Sequence, residues 1–215
     1  MAAATPTDPL DVLTESLQAL AARGTLKRYR KGQLLIEEGA DGDTLFVILS
    51  GRVRAFGTDD RDREITYGTY GAGEYLGEMS LDGGPRSASV VTLEACTCSV
   101  VTRQTLLQHI AEHPEFAMEL LAKVIRRARV ATLSAKQMAL NDVYGRLVLL
   151  LNSLAQPLTN GNRVVEERLT HRELANRLGC SREMVSRLMK DLEAGRYLRV
   201  DDHRIVLLAA LPMRW

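Results

Sequence analysis

The sequence predicts an α+β fold with three parts in chain order: a closed antiparallel β region, one long helix, and a small helical region that ends in a β-hairpin. Three observations predict it. Short apolar runs separated by glycine and aspartate turns fill residues 26–102. A stretch without glycine or proline covers 115–142, and two short helices broken by a tight turn are predicted within 169–198.

Composition places the chain among ordinary globular proteins. Of its 215 residues, 46% are hydrophobic and 26% are charged. No apolar run approaches the roughly 20 residues of a membrane-spanning helix, and the first residues lack the basic and apolar regions of a secretory signal. Cys96, Cys98 and Cys180 are too few for a disulfide framework. Cys96 and Cys98 also lack a second ligand pair at zinc-finger spacing, so each cysteine is predicted to be a small buried side chain. We therefore expect a reduced, cytoplasmic protein without a metal.

The net charge of +1 is unevenly distributed along the chain. Residues 1–140 hold 16 Lys and Arg against 18 Asp and Glu, whereas residues 141–215 hold 12 against 9. A basic carboxyl-terminal piece beside an acidic larger piece is typical of a nucleic-acid-binding module joined to another domain.

The β region is predicted from short runs with turns every 8–12 residues, which favours a closed antiparallel fold. In the run 44–50, Leu45, Val47 and Leu49 alternate with other apolar residues, so both faces of that strand are expected to be buried. The remaining strands are predicted at 34–39, 51–57, 65–70, 87–94 and 97–102, and a short amphipathic helix is predicted before them at 8–23.

The long helix is predicted to carry one stripe at coiled-coil spacing. Its members, which become small towards the end, are Leu121, Ile125, Ala128, Thr132, Ala135 and Ala139. A rod of about 40 Å has too little neighbouring chain to cover it, so we expect the helix to pair with that of a second copy. Packing on its own domain is the alternative.

The third part begins with an apolar helix at 143–156, followed by a polar loop at 156–163. Thr170 and Glu173 have the spacing of a capping box, so a helix is predicted to begin there. Gly179 permits a turn, and Ser181 caps a second helix with an apolar face at Val185, Leu188, Met189 and Leu192. This spacing matches a helix-turn-helix, in which the second helix lies in the DNA major groove.

The outward side chains of that second helix suit DNA recognition. Arg182 and Arg187 can each donate two hydrogen bonds to guanine, and Glu183 can accept one from cytosine. Ser186 faces outward with them. Two short strands around an Asp-Asp-His turn at 197–208 are predicted to form a wing. The alternative is that these side chains lie on a solvated helix face and contact no DNA. The caps, the turn, the charge and the wing together favour DNA binding.

A second cluster of polar residues lies in 73–91, whose sequence is GEYLGEMSLDGGPRSASVV. Its LGEMSL turn can present several backbone N–H groups at the start of a short helix, which favours an anion. Glu78 can accept a hydrogen bond from a ribose hydroxyl, and Arg86 can pair with a phosphate.

Two segments carry a family resemblance. GCSREMVSRLMKDLE (179–193) resembles the recognition helix of the bacterial catabolite activator / fumarate-nitrate regulator (Crp/Fnr) family, and the run GExxL…PRSASV resembles the phosphate-binding cassette of cyclic-nucleotide domains. The resemblance covers essentially the whole chain. It implies a cyclic-nucleotide-binding β-roll, or jelly roll, at 1–113, a dimerisation helix at 114–141 and a winged helix-turn-helix at 142–215.

The resemblance also implies the site residues. The residues expected around the cyclic phosphate and ribose are Gly77, Glu78, Met79, Ser80, Arg86 and Ser87. Arg182, Glu183 and Arg187 match the positions that read a TGTGA-like half-site, whereas Ser181, Thr170, His171 and Arg172 match positions near the phosphate backbone. Such backbone contacts set register more than sequence choice.

The effector is expected to be a cyclic nucleotide, with cyclic AMP favoured. In the cyclic-AMP-responsive members of the family, two hydroxyl residues on the long helix reach the adenine. Here the aligned pair is Ala131 and Thr132, so only the second hydroxyl remains. Cyclic di-GMP is an alternative effector, with the arginines at 126–129 or at 52 and 54 as candidate partners. A second alternative is a constitutive DNA-binding regulator whose sensor domain is vestigial and binds no effector. The absence of cysteine before position 96 argues against an iron–sulfur sensor.

We therefore expect a homodimeric, ligand-gated transcription regulator that binds a palindromic operator and contacts RNA polymerase. The sequence shows no nucleophile–base pair, no metal-ligand set and no Walker-type loop, so no enzymatic activity is expected.

Overall fold

The computed structural model describes residues 13–60, 63–158, 161–202 and 204–212. These residues form two compact units. The first consists of the described parts of Met1–Gly57 and Thr66–Arg126, and the second of the described parts of Thr58–Ile65 and Arg127–Trp215. None of the helices in these ranges is long and apolar enough to cross a bilayer.

In the part of the amino-terminal region that the structure describes, eight strands form two antiparallel four-stranded sheets, with the orders β1-β8-β3-β6 and β2-β7-β4-β5. The strands are β1 (Thr25–Tyr29), β2 (Leu34–Ile36), β3 (Thr44–Ser50), β4 (Arg52–Thr58), β5 (Glu64–Gly71), β6 (Tyr75–Leu76), β7 (Ser89–Thr92) and β8 (Cys96–Thr102). The prediction of an antiparallel β-roll is confirmed.

The strand β3 is buried on both faces, as its apolar run predicts. Leu45, Val47 and Leu49 pack in a cluster with apolar side chains of three helices, whereas Phe46 and Ile48 pack in a cluster with side chains of the second sheet. Alternate residues of a strand point to opposite faces, so this one strand joins two cores.

The amino-terminal helix is shorter than predicted. The structure places α1 at Glu15–Ala22, because the side chain of Thr14 caps it by accepting from the backbone N–H of Leu17. The prediction that residues 13 and 14 are helical is therefore wrong, and the predicted part at 8–12 lies outside the described residues. The strands β1 and β6 were not predicted from the sequence, because β1 is mostly exposed and β6 has only two residues.

Two helices follow β8. They are α2 (Arg103–Glu112), which the sequence analysis did not identify, and α3 (Pro114–Leu140), which confirms the long helix. His109 is fully buried near their junction, where its ring lies edge-on to Phe116 at 5.2 Å between centroids. The first half of α3 packs on the β-roll through Phe116.

The described residues of the carboxyl-terminal region form three helices and a four-stranded antiparallel sheet of order β11-β12-β10-β9. The elements are α4 (Val143–Leu154), β9 (Ala155–Pro157), β10 (Arg163–Val165), α5 (His171–Leu178), α6 (Arg182–Ala194), β11 (Leu198–Asp201) and β12 (Arg204–Leu207). The predicted loop at 156–163 needs correction at its ends. Gln156 and Pro157 pair in register with Val164 and Arg163, so a hairpin replaces a simple loop.

The cysteines of β8 are buried, as predicted. Burial raises the pKa of the Cys98 thiol to about 12, and it also raises the pKa of Cys96. Cys180 is partly buried at the turn between α5 and α6. The described residues contain no cluster of three or more His, Cys, Asp or Glu side chains suited to hold a metal ion.

Candidate ligand site and DNA-reading surface

The first candidate site is the turn that follows β6. Gly77 has φ of 95°, a left-handed conformation that favours glycine, and it caps a short 3-10 turn at Glu78–Ser80. A Cβ atom at Gly77 would lie 2.5 Å from the carbonyl oxygen of Thr44 and 2.7 Å from Nη1 of Arg86. Any side chain here would therefore displace the turn or the arginine.

Arg86 is the centre of this turn. Its side chain is only 7% exposed, and its guanidinium is held by three hydrogen bonds. Nη1 donates to the carbonyl oxygen of Gly77 at 3.0 Å and to Oγ of Ser80 at 2.9 Å, and Nη2 donates to Oγ1 of Thr44 at 2.9 Å. Burial lowers the pKa of Arg86, while the charges of Asp43 and Glu78 act in the opposite direction. The result is a fixed, partly desolvated cation in a cradle of three uncharged hydrogen-bond acceptors, with two carboxylates near it.

Two residues of this cradle were not predicted from the sequence. Thr44 supplies one of the three hydrogen bonds, and a Cβ atom at Gly42 would lie 2.6 Å from Nε of Arg86. The turn of sequence ADGDT, which contains both, carries no motif that relates it to an arginine 42 residues further along. An open cavity of about 430 Å³ lies beside the cradle, with Asp41, Asp43 and Arg103 in its lining.

The other predicted ligand residues differ in their exposure. Glu78 is buried in the turn, Met79 is 52% exposed, and Ser87 is exposed beside Arg86. Thr132 belongs to the second unit, where its hydroxyl donates to the carbonyl oxygen of Ala128, one turn back along α3. The structure thus brings Gly77, Ser80 and Arg86 into direct contact.

A contact within the first unit joins the strand before this turn to α3. Nζ of Lys123 lies 3.9 Å from the centroid of the Tyr75 ring, and the ring of Phe116 lies 6.4 Å from the same ring. Tyr75 is two residues from Gly77. The first turns of α3 are therefore packed against the strand that leads into the cradle.

The second candidate site is the helix pair α5 and α6, and its local geometry follows the predicted caps. Thr170 Oγ1 accepts from the backbone N–H of Glu173, whose carboxylate accepts in return from the N–H of Thr170 at 2.7 Å. Gly179 ends α5 with φ of 63°, and Ser181 Oγ accepts from the N–H of Met184. These bonds fix both helix starts and the turn between them.

The outward face of α6 carries the predicted base-reading side chains. Arg182, Glu183 and Arg187 are all exposed. The opposite face, which consists of Val185, Leu188, Met189 and Leu192, is buried in the core of the second unit. The exposed side chains therefore stand on a helix whose back is held by packing.

Two predicted DNA-contact residues bond to each other. Nδ1 of His171, the first residue of α5, lies 2.9 Å from Oγ of Ser186 in α6. Both residues are half-buried, unlike Arg172 and Arg187 beside them, which are exposed.

Two ion pairs lie at the turn end of the predicted wing. Arg168 pairs with Asp202 at 3.1 Å and Arg204 pairs with Glu166 at 3.2 Å. The turn residue Asp202 has φ of 44°, and His203 lies outside the described residues. The pairs lie at the surface, so each contributes little to stability.

Two domain families match separate parts of the chain, one containing the ligand site and the other containing α5 and α6. The cyclic nucleotide-binding domain family matches residues 26–113, and the Crp-like helix-turn-helix domain family matches residues 145–211. The cAMP-activated global transcriptional regulator CRP of Haemophilus influenzae is 32% identical over 190 residues, which cover 86% of this chain and 84% of that protein. The chain belongs to the Crp/Fnr family.

Other relatives in the family extend the match. The CRP-like protein Clp of Xanthomonas euvesicatoria pv. vesicatoria is 29% identical over 213 residues, covering 95% of this chain and 92% of that protein. The solved structure of the c-di-GMP responsive global regulator CLP of Xanthomonas campestris superimposes with a TM-score of 0.80 at 26% identity, over 90% of this chain and 98% of that one. This member of the Crp/Fnr family is accordingly a ligand-responsive, DNA-binding regulator.

Proposed function

We propose that the protein is a homodimeric transcription regulator that binds cyclic AMP in the turn around Arg86 and then binds a palindromic TGTGA-like operator. The buried guanidinium of Arg86 carries this proposal. The carbonyl and the two hydroxyl groups that hold this cation are uncharged, so none of these three acceptors neutralises it. The guanidinium can therefore pair with an anion, although the charges of Asp43 and Glu78 also act on it.

The chemistry of the cradle favours a cyclic phosphate. The backbone N–H groups at the start of the 3-10 turn after Gly77 are the proposed partners of the guanidinium in binding a singly charged phosphate. The buried carboxylate of Glu78 suits a ribose hydroxyl as donor. Met79 and Ser87 complete the proposed ligand shell, with Thr132 as the remaining contact to the base. Relatives that are activated by cAMP support this choice of nucleotide.

The exposed face of α3 supports a dimer. All six residues of the predicted seam, from Leu121 to Ala139, are exposed in the single chain, and Val130, Leu133 and Met138 are exposed near them. An apolar stripe of this length on one helix is typical of a coiled-coil partner surface. We propose that the α3 helices of two copies pair along it.

The contact of α3 with Tyr75 offers a path from ligand to dimer. A nucleotide in the cradle would shift the turn after β6, and Tyr75 would pass that shift to Lys123 and Phe116. Binding energy is coupled to the dimer only if the nucleotide prefers one arrangement of α3 over the other. That arrangement should place the two α6 helices about 34 Å apart, one turn of DNA.

In this scheme the recognition helix reads bases and the surrounding residues hold the phosphates. Arg182, Glu183 and Arg187 contact base edges, while Ser181, Thr170, His171 and Arg172 lie near the backbone. RNA polymerase is the proposed protein partner, and the cytoplasm is the proposed location. We propose no enzymatic activity, and cyclic nucleotide should be recovered intact after long incubation with the protein.

Cyclic di-GMP is the second candidate effector, favoured by the similarity to the c-di-GMP responsive regulator of Xanthomonas campestris. Its two phosphates would need cations beyond Arg86. Arg52 pairs with Glu94 at 3.4 Å, and Arg54 lies over the ring of Phe56 at 4.4 Å. Recruiting Arg52 and Arg54 would break those contacts, whereas Arg126 and Arg129 are exposed on α3. We favour the mononucleotide because of the similarity to a cAMP-activated regulator.

Calorimetric titration tests the proposal. The purified protein is titrated with cyclic AMP, cyclic GMP and cyclic di-GMP, alongside Arg86→Ala and Arg28→Ala, which removes an exposed arginine of β1. The proposal requires cyclic AMP binding that Arg86→Ala abolishes and Arg28→Ala leaves intact. Tighter binding of cyclic di-GMP would make that nucleotide the effector in place of cyclic AMP. Absence of binding by all three nucleotides would favour a vestigial sensor.

A further inference from the structure

A hydrogen bond between His171 and Ser186 joins the start of α5 to the second turn of α6. His171 is the first residue of α5, and Ser186 lies in the second turn of α6, between buried Val185 and exposed Arg187. The capping bonds of Thr170 and Ser181 act within their own helices, so they do not fix the angle between them. Both side chains of the His171–Ser186 bond are half-buried.

We propose that His171 and Ser186 form a clip that positions the recognition helix, so that Ser186 does not itself read a base. This inference rests on the proposed DNA-binding function. Reading a base edge needs the side chains of Arg187 and Glu183 placed within about 0.5 Å, which demands a supporting contact on the helix that carries them. Ser186 is one residue from Arg187 and shares a helix turn with Glu183, so a bond there acts directly on both.

The clip also orients the imidazole. With Nδ1 bonded to the serine hydroxyl, Nε2 is the ring nitrogen that remains for the phosphate contact expected at this position. One side chain would then tie α5 to α6 and hold α5 to the DNA backbone. A shift of the backbone contact would be transmitted to the base-reading helix.

Four variants separate the two roles of the pair. Ser186→Ala removes the clip, and Ser186→Thr keeps a hydroxyl. His171→Asn places an amide near the position of Nδ1 and loses Nε2, whereas His171→Gln places an amide near Nε2 and loses Nδ1. A duplex selected by the wild-type protein from a randomised pool serves as operator, and a scrambled duplex of the same length measures non-specific binding at the same salt.

We expect Ser186→Ala and His171→Gln to lower the ratio of operator affinity to scrambled-duplex affinity by roughly 3- to 10-fold, the worth of one hydrogen bond. The loss of selectivity should spread over all base pairs of the half-site. The variant that combines Ser186→Ala with His171→Gln should show no larger fall in the affinity ratio than either single variant. His171→Asn should weaken binding to both duplexes while keeping their ratio within about 2-fold of wild type, and Ser186→Thr should keep it too. A purely structural role would lower the melting temperature without this pattern of rescue.

Three results would overturn the clip. They are a loss of preference at a single base pair in Ser186→Ala, which would make Ser186 a reader; losses that multiply in the double variant; and a His171→Asn ratio as low as that of His171→Gln. A pool from which the wild-type protein enriches no sequence would instead reject the proposed DNA-binding function, and the clip with it.

Discussion

The two candidate sites present their arginines in opposite ways. Arg86 is buried and holds three hydrogen bonds within its own domain, whereas Arg182 and Arg187 are exposed on a helix held by packing on its other face. The first arginine is part of the local structure that surrounds it, and the other two are carried by structure that does not need them. Function and stability should therefore be coupled at the ligand site and separable at the DNA-reading surface.

Arg86→Ala gives the largest expected effect, because it should lower both the affinity for cyclic AMP and the stability of the fold. We expect cyclic AMP affinity to fall at least about 100-fold, as for loss of a buried charged hydrogen-bonding group. The variant also leaves Ser80 Oγ, Thr44 Oγ1 and the Gly77 carbonyl without this donor, which should cost about 1–3 kcal/mol of unfolding free energy. Calorimetry and denaturant unfolding measure the two losses, and an unchanged stability would remove the contrast between the sites.

Arg187→Ala should weaken operator binding by about 1–3 kcal/mol without changing the melting temperature, because its side chain is exposed. Fluorescence anisotropy at fixed salt measures the first effect and thermal unfolding the second. Lys190→Ala is the matched control, since Lys190 is exposed one turn further along α6. If Lys190 contacts a phosphate, Lys190→Ala should weaken binding to all duplexes alike and reduce the salt dependence of log affinity by about 1. Base selectivity lost equally in both variants would contradict a reading role for Arg187.

Thr170→Ala tests the scaffold that carries the exposed arginines. It removes the hydroxyl that accepts from the N–H of Glu173, so the free energy of unfolding should fall by about 0.5–2 kcal/mol. Thr170→Ser keeps the hydroxyl and should retain most of the stability. Chemical denaturation measures both, and an effect of Thr170→Ala within error would show that packing alone fixes the start of α5.

The smallest expected effect is a pH dependence that originates in the first unit. Burial, followed by the charges of His113 and Arg23, lowers the pKa of His109, while Glu112 and Glu115 oppose the shift. Between this lowered pKa and the ordinary value of about 6.5, the unfolded chain binds a proton that the folded chain does not. Stability should therefore rise with pH through that window and be complete above it.

Melting temperatures at about pH 5.5 and about pH 8 check this pH dependence, since the two values lie on either side of the ordinary histidine pKa. His109→Met keeps a side chain of similar size and removes the titrating ring. The variant should lose part of the difference between the two melting temperatures. A difference of the same size in both proteins would assign it to other groups.

Sequence patterns predicted the elements whose signals are local. The capping box of Thr170, the glycine turn at Gly179 and the buried run of β3 each depend on residues close in sequence, and the structure has all three. The edge strand β1 was missed because an exposed strand has no apolar alternation, and the hairpin at 155–165 was missed because its turn is polar.

The cradle of Arg86 was only partly predictable. Its motif identified Gly77 and Ser80, which lie within ten residues of the arginine. Thr44 and Gly42 reach the guanidinium only after the chain has folded into two sheets, so no local pattern points to them. The His171–Ser186 bond has the same origin, because it joins two helices whose relative angle no residue spacing encodes.

The most direct test of ligand gating is the affinity of the wild-type protein for its operator at fixed salt, measured with and without saturating cyclic AMP. Ligand gating predicts tighter operator binding with the nucleotide. It also predicts tighter nucleotide binding by the same factor when the operator is present, because the coupling is reciprocal. An operator affinity that saturating nucleotide leaves unchanged would contradict it.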